Sequence, residues 1–464
     1  MKTINASIIT IGDELLIGQT VDTNSAWMAQ ELNKIGVWVQ RRLAVGDVWD
    51  DIWNALDAES KISDIILITG GLGPTADDIT KPLLCKYFGG KLVVNENVLQ
   101  HVKDIFTRLN RPMLDRNLKQ AEVPDVCTVL HNARGTAPGM WFGPPTPQRG
   151  DLAHTQNLIS EGSNKKKIQS NENVSESGAS AKMASLFGGS RKGAVFISLP
   201  GVPNEMKGLM INEVLPRLQK EFILPAIVHK TVFTAGAGES FIAERIKEFE
   251  ASLPVHIKLA YLPSYGMVRL RLTSKGETKN KVEEELLPYF NVLKELVKDV
   301  MVADEDEGLE ITIGKILKAK GKTLATAESC TGGYIAHLIT SIPGSSAYFN
   351  GSVVSYANEV KENLLGVSAE TLKTAGAVSE ETVKQMVKAV LEKINADFAV
   401  ATSGIMGPDG GTAEKPVGTV WVAVGNKEKT EAQKLFFRFD RERNIEMTAQ
   451  AALNMMRKFI LANS

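Results

Sequence analysis

Residues 64–73 read DIILITGGLG, an apolar run that leads directly into a loop with three glycines. A short apolar run of this kind is typical of a strand buried on both faces of a parallel sheet. Upstream, residues 7–11 form a second such run before Gly12, residues 22–32 carry apolar side chains at helical spacing, and residues 37–45 are extended. Strands that alternate with helices predict an α/β fold, in which ligands bind beyond the carboxyl ends of the strands.

The composition is that of a globular chain with more than one domain. It has 464 residues, 43% hydrophobic and 23% charged, so we expect two or three domains. Its 53 basic and 54 acidic residues leave a net charge of −1, which argues against nucleic acid as a partner. We expect neither a membrane span nor a secretory signal. Three widely spaced cysteines fit a reducing compartment, and the expected location is cytoplasmic.

The remaining chain divides by composition and periodicity. Residues 144–192 are polar and without periodicity, which predicts a disordered surface insertion. A small unit follows, with strands at 231–234 and 267–273 around a helix at 240–249. After the acidic residues 304–307, a second α/β pattern begins, with a helix at 380–394. We therefore predict domains at 1–225, 226–305 and 306–464.

The chemistry of the last domain concentrates in residues 327–333, AESCTGG. A strand leads to Ser329, and Gly332 and Gly333 open a helix whose amides could hold an oxyanion. A serine nucleophile needs a base, and Lys361 is the candidate, since Ser–Lys pairs are a known variant of the triad. Two alternatives remain. Either Ser329 serves only as a helix cap or as part of an anion-binding site, or Cys330 is the nucleophile.

A second glycine-rich loop follows the strand predicted at 397–402. Residues 403–411 read SGIMGPDGG and residues 415–418 read KPVG. The loop is either a plain mobile connection or one that closes over a phosphorylated ligand.

Two loops of the first domain combine glycines with acids, namely residues 12–18, GDELLIG, and residues 69–78, TGGLGPTADD. Both should meet at one sheet edge. Glycine amides suit phosphate oxygens, and carboxylates suit a hard cation such as Mg²⁺. Alternatively, the second pair of acids only favours the start of a helix at Ile79. The predicted metal ligands are Asp13, Glu14, Asp77 and Asp78.

The C-terminal motifs, in this order, resemble the amidase domain of the CinA family. They are AESCTGG (327–333), SYxNExK (355–361), GAVSEET (376–382), SGIMGPDGG (403–411) and KPVGTVW (415–421). The resemblance implies hydrolysis of nicotinamide mononucleotide to nicotinic acid mononucleotide and ammonia, without a cofactor. It also implies that Ser329 is the nucleophile and Lys361 the base. The implied substrate-binding residues are Gly332, Gly333, Tyr356, Ser403, Gly404 and Arg441.

The N-terminal motifs resemble the molybdopterin-binding-like domain of the same family. They are GDELLIGQ (12–19), DTNS (22–25), TGGLGPTADD (69–78), RNLKQA (116–121), GTAPGM (135–140) and LPGVPNEM (199–206). This resemblance implies an ADP-ribose pyrophosphatase that needs a divalent metal such as Mg²⁺. The implied substrate-binding residues are Gly70, Gly71, Gly73, Asn117 and Lys119.

The segment TAGAGES at 234–240 resembles the family's small KH-type module. The implied fold is therefore two three-layer αβα domains joined by a small α+β module, in a chain that forms a homodimer. Three functions remain open: a bifunctional nucleotide-recycling enzyme, a molybdopterin-type cofactor-binding protein, and an accessory protein of competence or DNA recombination. The AESCTGG motif together with Lys361 favours the first.

Overall fold

A computed structural model describes residues 3–75, 78–143, 194–264 and 266–463. The insertion predicted at 144–192 and the predicted metal ligand Asp77 lie outside these residues. The chain divides into two compact units. The first is Met1–Ile227 with Gly276–Lys279, and the second is Val228–Lys275 with Asn280–Ser464.

The first unit is built on a six-stranded sheet in the order β2-β1-β3-β8-β7-β6. The pairs β1–β2, β1–β3 and β3–β8 are parallel, as predicted, whereas β7 runs antiparallel to β8 and β6 antiparallel to β7. A further pair, β4 and β5, is antiparallel. The strands are β1 Asn5–Ile11, β2 Trp38–Val45, β3 Ile65–Thr69, β4 Leu92–Val94, β5 Glu122–Pro124, β6 Thr128–Leu130, β7 Gly139–Phe142 and β8 Val195–Leu199.

Helices cover both faces of this sheet. Met28 and Leu32 pack with Leu209 in one buried cluster, and Ile52 packs with Leu84 in another. Between the two layers every residue of β3 is buried, which is why its sequence is apolar without alternation. The helices are α1 Asp13–Leu16, α2 Thr23–Lys34, α3 Trp49–Ser60, α4 Thr80–Tyr87, α5 Glu96–Arg108, α6 Asp115–Leu118, α7 Pro203–Leu209 and α8 Leu215–Glu221.

A small four-stranded sheet, in the order β10-β11-β9-β12, forms the middle module. The helix predicted at 240–249 is two short helices that meet at Ile246, where the backbone leaves helical geometry. The strands are β9 Ala226–Ala235, β10 Lys258–Ser264, β11 Met267–Gly276 and β12 Met301–Ala303, and the helices are α9 Glu239–Arg245, α10 Lys247–Ser252 and α11 Lys279–Leu296.

The C-terminal domain has a mixed sheet in the order β14-β13-β15-β16-β17. Two separate apolar clusters, one on each face, make it a second three-layer domain. The strands are β13 Leu324–Glu328, β14 Phe349–Val354, β15 Phe398–Gly404, β16 Thr419–Asn426 and β17 Thr430–Phe436. The helices are α12 Leu309–Lys320, α13 Tyr334–Thr340, α14 Asn358–Asn363, α15 Ala369–Thr374, α16 Glu380–Ile394 and α17 Arg441–Ala462.

The prediction of two αβα domains and a small α+β module is confirmed. The sequence predicts a strand at 352–356, where Val353 and Val354 indicate a buried position in the sheet, and this expectation of burial is wrong: β14 is an edge strand, and Val354 is 46% exposed. Valines are favoured by the pleated backbone of a strand even where one side meets solvent, so their presence did not indicate burial. Among the helices of the described residues, none combines the length and the hydropathy that crossing a bilayer requires.

Candidate active sites

The carboxyl ends of β13, β14 and β15 bring three predicted segments of the C-terminal domain together. Glu328 lies opposite Val354 on one side and Thr402 on the other. Just beyond, the Ser329 amide donates to Thr402 O at 3.0 Å, and the Ser355 amide donates to Glu328 O at 2.8 Å. The Ser329 turn therefore lies between the segments that carry Tyr356 and Ser403.

A buried carboxylate, which the sequence reasoning missed, organises this turn. Glu328 accepts hydrogen bonds from Thr331 Oγ1 (2.8 Å) and from the amides of Gly333 (3.1 Å), Ile335 (3.0 Å) and Ala336 (2.8 Å). Its side chain is fully buried. An acid just before a helix start was the available signal, because carboxylates satisfy the first amides of helices.

The predicted use of the Gly332 and Gly333 amides to hold an oxyanion is corrected by these contacts. The Gly333 amide donates to the Glu328 carboxylate, and the Gly332 amide donates to Ser329 O at 3.1 Å. Both glycines have positive φ angles, 61° and 95°, which other residues adopt only at a cost. Their role in the turn is conformational.

Lys361 is buried on α14, with 1% of its surface exposed. Its Nζ donates to the carbonyls of Ser355 (2.8 Å) and Tyr356 (3.2 Å). Burial lowers the pKa of the Lys361 amine, against smaller opposing effects of Cys330 and Glu359. The sequence also allows an ordinary surface lysine that pairs with Glu359 or Glu362, and the burial of Lys361 contradicts that alternative.

The described hydrogen bonds of Lys361 Nζ go to the main chain, and none joins it to Ser329 Oγ. The two residues are linked through the main chain: Ser355, whose carbonyl accepts from Lys361 Nζ, donates its amide to the carbonyl of Glu328, the residue before Ser329. Catalytic hydrogen bonds are often long until a ligand is bound.

The thiol of Cys330, the alternative nucleophile, lies where it is unreactive. Cys330 is 5% exposed, and burial raises the pKa of its thiol to about 12. Because the thiolate is the nucleophilic form, a thiol that stays protonated at neutral pH is a poor nucleophile.

Arg441, the first residue of α17, reaches two other parts of the predicted site. Its Nη1 donates to Gly407 O at 2.7 Å and its Nη2 to the hydroxyl of Tyr356 at 2.8 Å. Tyr356 is 63% exposed. A cation and an exposed phenol thus lie together, and their binding of substrate stays a prediction. Arg441 is not among the groups that shift the pKa of Lys361.

The loop after β15 is fixed through side chains to the loop before α16. Ser403 Oγ donates to Ala377 O at 2.7 Å, and Lys415 Nζ donates to Ala375 O at 2.7 Å. These bonds argue against a plain mobile connection at residues 403–418, and closure of the loop over a phosphorylated ligand stays a prediction. A Cβ at Gly404 would lie 2.9 Å from Thr419 O, so this glycine permits close strand packing.

In the first unit, the glycine loop after β3 is folded around Asp78. The carboxylate accepts from the amides of Gly73 and Thr75, both at 2.8 Å, and from the Thr75 hydroxyl. A Cβ at Gly70 would lie 2.2 Å from Ile11 O, and one at Gly71 would lie 2.1 Å from Thr80 Oγ1. The close approaches explain why glycine stands at positions 70 and 71. The hydrogen bonds of Asp78 give its carboxylate a structural role in its own loop.

Asp13, Glu14 and Asp78, the predicted metal ligands that the structure describes, are not part of a shared acidic cluster. Asp13 and Asp47 exchange hydrogen bonds, each amide donating to the other's carboxylate at 3.2 Å. Over the parts of the chain that the structure describes, no group of three or more His, Cys, Asp or Glu side chains could hold a metal ion. Asp13, Glu14 and Asp78 therefore do not form a cation site by themselves, and the metal remains a prediction.

Asn117 and Lys119 lie on a segment that is hydrogen-bonded to Lys81, a residue that the sequence analysis did not assign to the site. Asn117 Oδ1 accepts from the Leu114 amide at 3.1 Å. Lys81, at the start of α4, is 8% exposed and donates to the carbonyls of Lys119 (3.3 Å) and Gln120 (3.2 Å). Burial lowers the pKa of Lys81 to about 8. No motif signalled this lysine, because its partners are main-chain atoms distant in sequence.

Fold and geometry define a multi-domain α/β protein whose last sheet carries Ser329 at the end of β13 and a buried lysine, Lys361, bonded to the segment that follows β14. Three family models match the chain: the CinA C-terminal domain at 306–460, a probable molybdopterin binding domain at 7–220, and the damage-inducible protein CinA KH domain at 229–302. A CinA-like protein of Cytophaga hutchinsonii is 45% identical over 98% of both chains. Another, from Flavobacterium psychrophilum, is 42% identical over 99% of both. The chain belongs to the CinA family.

Solved structures include a competence damage-inducible protein A from Klebsiella pneumoniae, 36% identical, which covers 34% of this chain and 97% of its own with a TM-score of 0.33. The protein CinA from Thermoplasma acidophilum is 28% identical over 47% of this chain and 99% of its own, also with a TM-score of 0.33.

Proposed function

We propose that the C-terminal domain hydrolyses the carboxamide of nicotinamide mononucleotide to nicotinic acid mononucleotide and ammonia. Family membership supports the proposal, and one observation carries it. The Nζ of buried Lys361 faces two carbonyl acceptors, Ser355 O and Tyr356 O. A neutral amine has two N–H donors and one lone pair. With both donors satisfied by carbonyls, the lone pair is left to accept a proton from Ser329.

The reaction then follows the course of a serine amidase. Lys361 takes the hydroxyl proton of Ser329, whose Oγ attacks the carboxamide carbon. The C–N bond breaks, and Lys361 returns the proton to the departing ammonia. Water attacks the acyl-enzyme and passes a proton through Lys361 to Ser329 Oγ, which releases the acid.

We infer that the oxyanion is bound by amides other than those of Gly332 and Gly333. The amide of the residue after a nucleophile is a common oxyanion donor. In this turn that residue is Cys330, and its amide, like that of Thr331, donates to no main-chain carbonyl within the described residues. We assign the oxyanion to these two amides, and Tyr356 with Arg441 to the nucleotide part of the substrate.

The experiment is to incubate the purified chain with nicotinamide mononucleotide and to measure ammonia and nicotinic acid mononucleotide together. Equal amounts of the two products are expected, and none from Ser329→Ala. Absence of both products with the wild-type chain would refute the proposal.

We also propose that the N-terminal domain cleaves the pyrophosphate of ADP-ribose. Support comes from its family membership and from Lys81, at the start of the helix after the glycine loop, which donates to the carbonyls of Lys119 and Gln120. The divalent metal, Mg²⁺ or similar, stays part of this proposal. No step is derived through it, because the described carboxylates are not part of a shared acidic cluster.

Product analysis with ADP-ribose, with and without a chelator, tests this second activity. Binding of a pterin without hydrolysis of either nucleotide would favour the cofactor-binding alternative. The proposal includes a homodimer, which sedimentation velocity tests, and a cytoplasmic location.

A further inference from the structure

Ser355, which follows β14, lies directly beside Ser329 in the extension of two paired strands. Glu328 is opposite Val354 in the parallel register of β13 and β14. The next ladder bond of this pair is present, because the Ser355 amide donates to Glu328 O at 2.8 Å. In a parallel ladder such a bond joins a residue to the one that precedes its neighbour. Ser355 and Ser329 therefore form the next register pair.

The side chains of this pair lie on the face of the sheet that also carries the chain around Lys361. Side chains alternate along a strand, so Ser329 is on the same face as Ala327, two positions earlier. Ala327 belongs to an apolar cluster that also contains Val367. The amide of Val367 donates to Lys361 O at 2.9 Å, which places this part of the chain on that face.

Lys361 Nζ is bonded to Ser355 at the point where the Ser329 turn begins. A further ladder bond would join the Ser355 carbonyl to the amide of Cys330. The chain turns after Ser329, and over the described residues the Cys330 amide donates to no main-chain carbonyl. Ser355 O accepts from Lys361 Nζ at 2.8 Å instead. The amine thus takes the place of the missing ladder donor, next to the proposed nucleophile.

The hydroxyl of Ser355 has no structural partner. Ser355 is fully buried, and among the residues that the structure describes its Oγ forms no hydrogen bond. Such a group is costly, and here only protein atoms can pair with it. A change of χ1 rotamer directs the hydroxyl towards its neighbours Ser329 and Lys361. An earlier register pair of the same strands shows that side chains can meet in this way, because Thr326 Oγ1 donates to Ser352 Oγ at 2.7 Å.

We propose that the Ser355 hydroxyl relays the proton between Ser329 and Lys361, a role that rests on the proposed amidase activity. A hydroxyl can accept one hydrogen bond while it donates another. As Ser329 Oγ bonds to the carboxamide carbon, its proton moves to Ser355 Oγ, and the Ser355 proton moves to the lone pair of Lys361 Nζ. When the C–N bond breaks, Lys361 returns a proton to Ser355 Oγ, and Ser355 passes one to the departing nitrogen, which leaves as ammonia.

The test measures ammonia release from nicotinamide mononucleotide by variants of the full chain. Ser355→Ala removes the relay and should lower kcat about 10²-fold, with little change in KM, because a positioned proton-transfer group is lost. Ser355→Thr keeps a hydroxyl at this position and should retain most of the activity. Ser341→Ala, which removes an exposed hydroxyl just after α13, is the matched control and should leave kcat unchanged.

A solvent isotope measurement distinguishes a relay from a structural role. Two protons move together in the wild type, so kcat should follow a curve as the fraction of D₂O increases. Ser355→Ala transfers a single proton, so its kcat should follow a straight line. The melting temperature of Ser355→Ala should not fall, because Oγ has no hydrogen bond to lose.

Three outcomes would overturn the relay: wild-type kcat in Ser355→Ala, an equal loss of kcat in Ser355→Thr, and a straight line for the wild type in D₂O. Each of them leaves the amidase proposal intact, since the wild-type chain then still releases ammonia. Absence of ammonia from the wild type would refute both. If Ser355→Ala does not fold, the activity of Ser355→Thr and the wild-type isotope curve decide the question.

Discussion

The role of Lys361 as a base makes a quantitative prediction. An ordinary lysine, with a pKa of about 10.4, is neutral in only about one molecule in 2500 at pH 7. Each unit by which burial lowers the pKa of Lys361 raises that fraction tenfold. Amide hydrolysis should therefore rise tenfold per pH unit on the acidic side of the Lys361 pKa, and level off above it.

Two variants of Lys361 distinguish its role as a base from the effect of its positive charge. Lys361→Met removes the base and should reduce kcat by about 10²–10⁴-fold, the usual worth of a positioned acid or base. Lys361→Arg keeps a cation that does not lose its proton near neutral pH, so it should be as inactive as Lys361→Met.

The assay is ammonia release from nicotinamide mononucleotide between pH 6 and about 9.5. Circular dichroism of each variant serves as the control for folding, and Lys393→Met as the control for loss of a lysine. Near wild-type turnover in Lys361→Arg, or a wild-type pH profile in that variant, would refute the reasoning.

Four further outcomes are expected. Ser329→Ala should abolish ammonia release, whereas Cys330→Ala should retain it; the reverse pattern in the same assay would identify the thiol as the nucleophile. Glu328→Gln should lower the free energy of unfolding by about 2–3 kcal/mol in urea titrations, because a charged acceptor of main-chain amides is replaced by a neutral amide; an unchanged midpoint would contradict this. Tyr356→Phe should raise KM more than it lowers kcat, since the phenol holds Arg441 on the substrate side; a kcat effect alone would place the phenol in the chemistry. Asp78→Asn should reduce cleavage of ADP-ribose and open the glycine loop to amide exchange, and unchanged exchange would show that the carboxylate does not hold the loop.

The sequence was most informative where a residue's role depends on its neighbours along the chain. The apolar run at 65–69 is a fully buried strand, and the pattern from 380 to 394 is the helix α16, which Ser379 caps. Ser329 could be placed at a sheet edge because it follows a predicted strand, whereas Tyr356 was assigned to the same site only by the family resemblance.

Other roles depend on atoms that only the fold brings together. Glu328 and Lys81 act on main-chain groups, which carry no sequence signal. The carboxylates of Asp13 and Asp78 were predicted to converge because their loops share an edge, but each is turned towards amides of its own surroundings. Position at an edge does not determine where a side chain points.

The buried carboxylate of Glu328 also makes the electrostatic potential differ between the two sides of the C-terminal site. Its oxygens accept hydrogen bonds from the Thr331 hydroxyl and from the Ile335 amide, just beyond Ser329. Arg441, at the open side beside Tyr356, is positively charged. An anionic ligand that enters this field is repelled from the Ser329 turn and attracted towards Arg441. A molecule with a phosphate at one end and a neutral amide at the other is therefore turned so that the amide faces the serine.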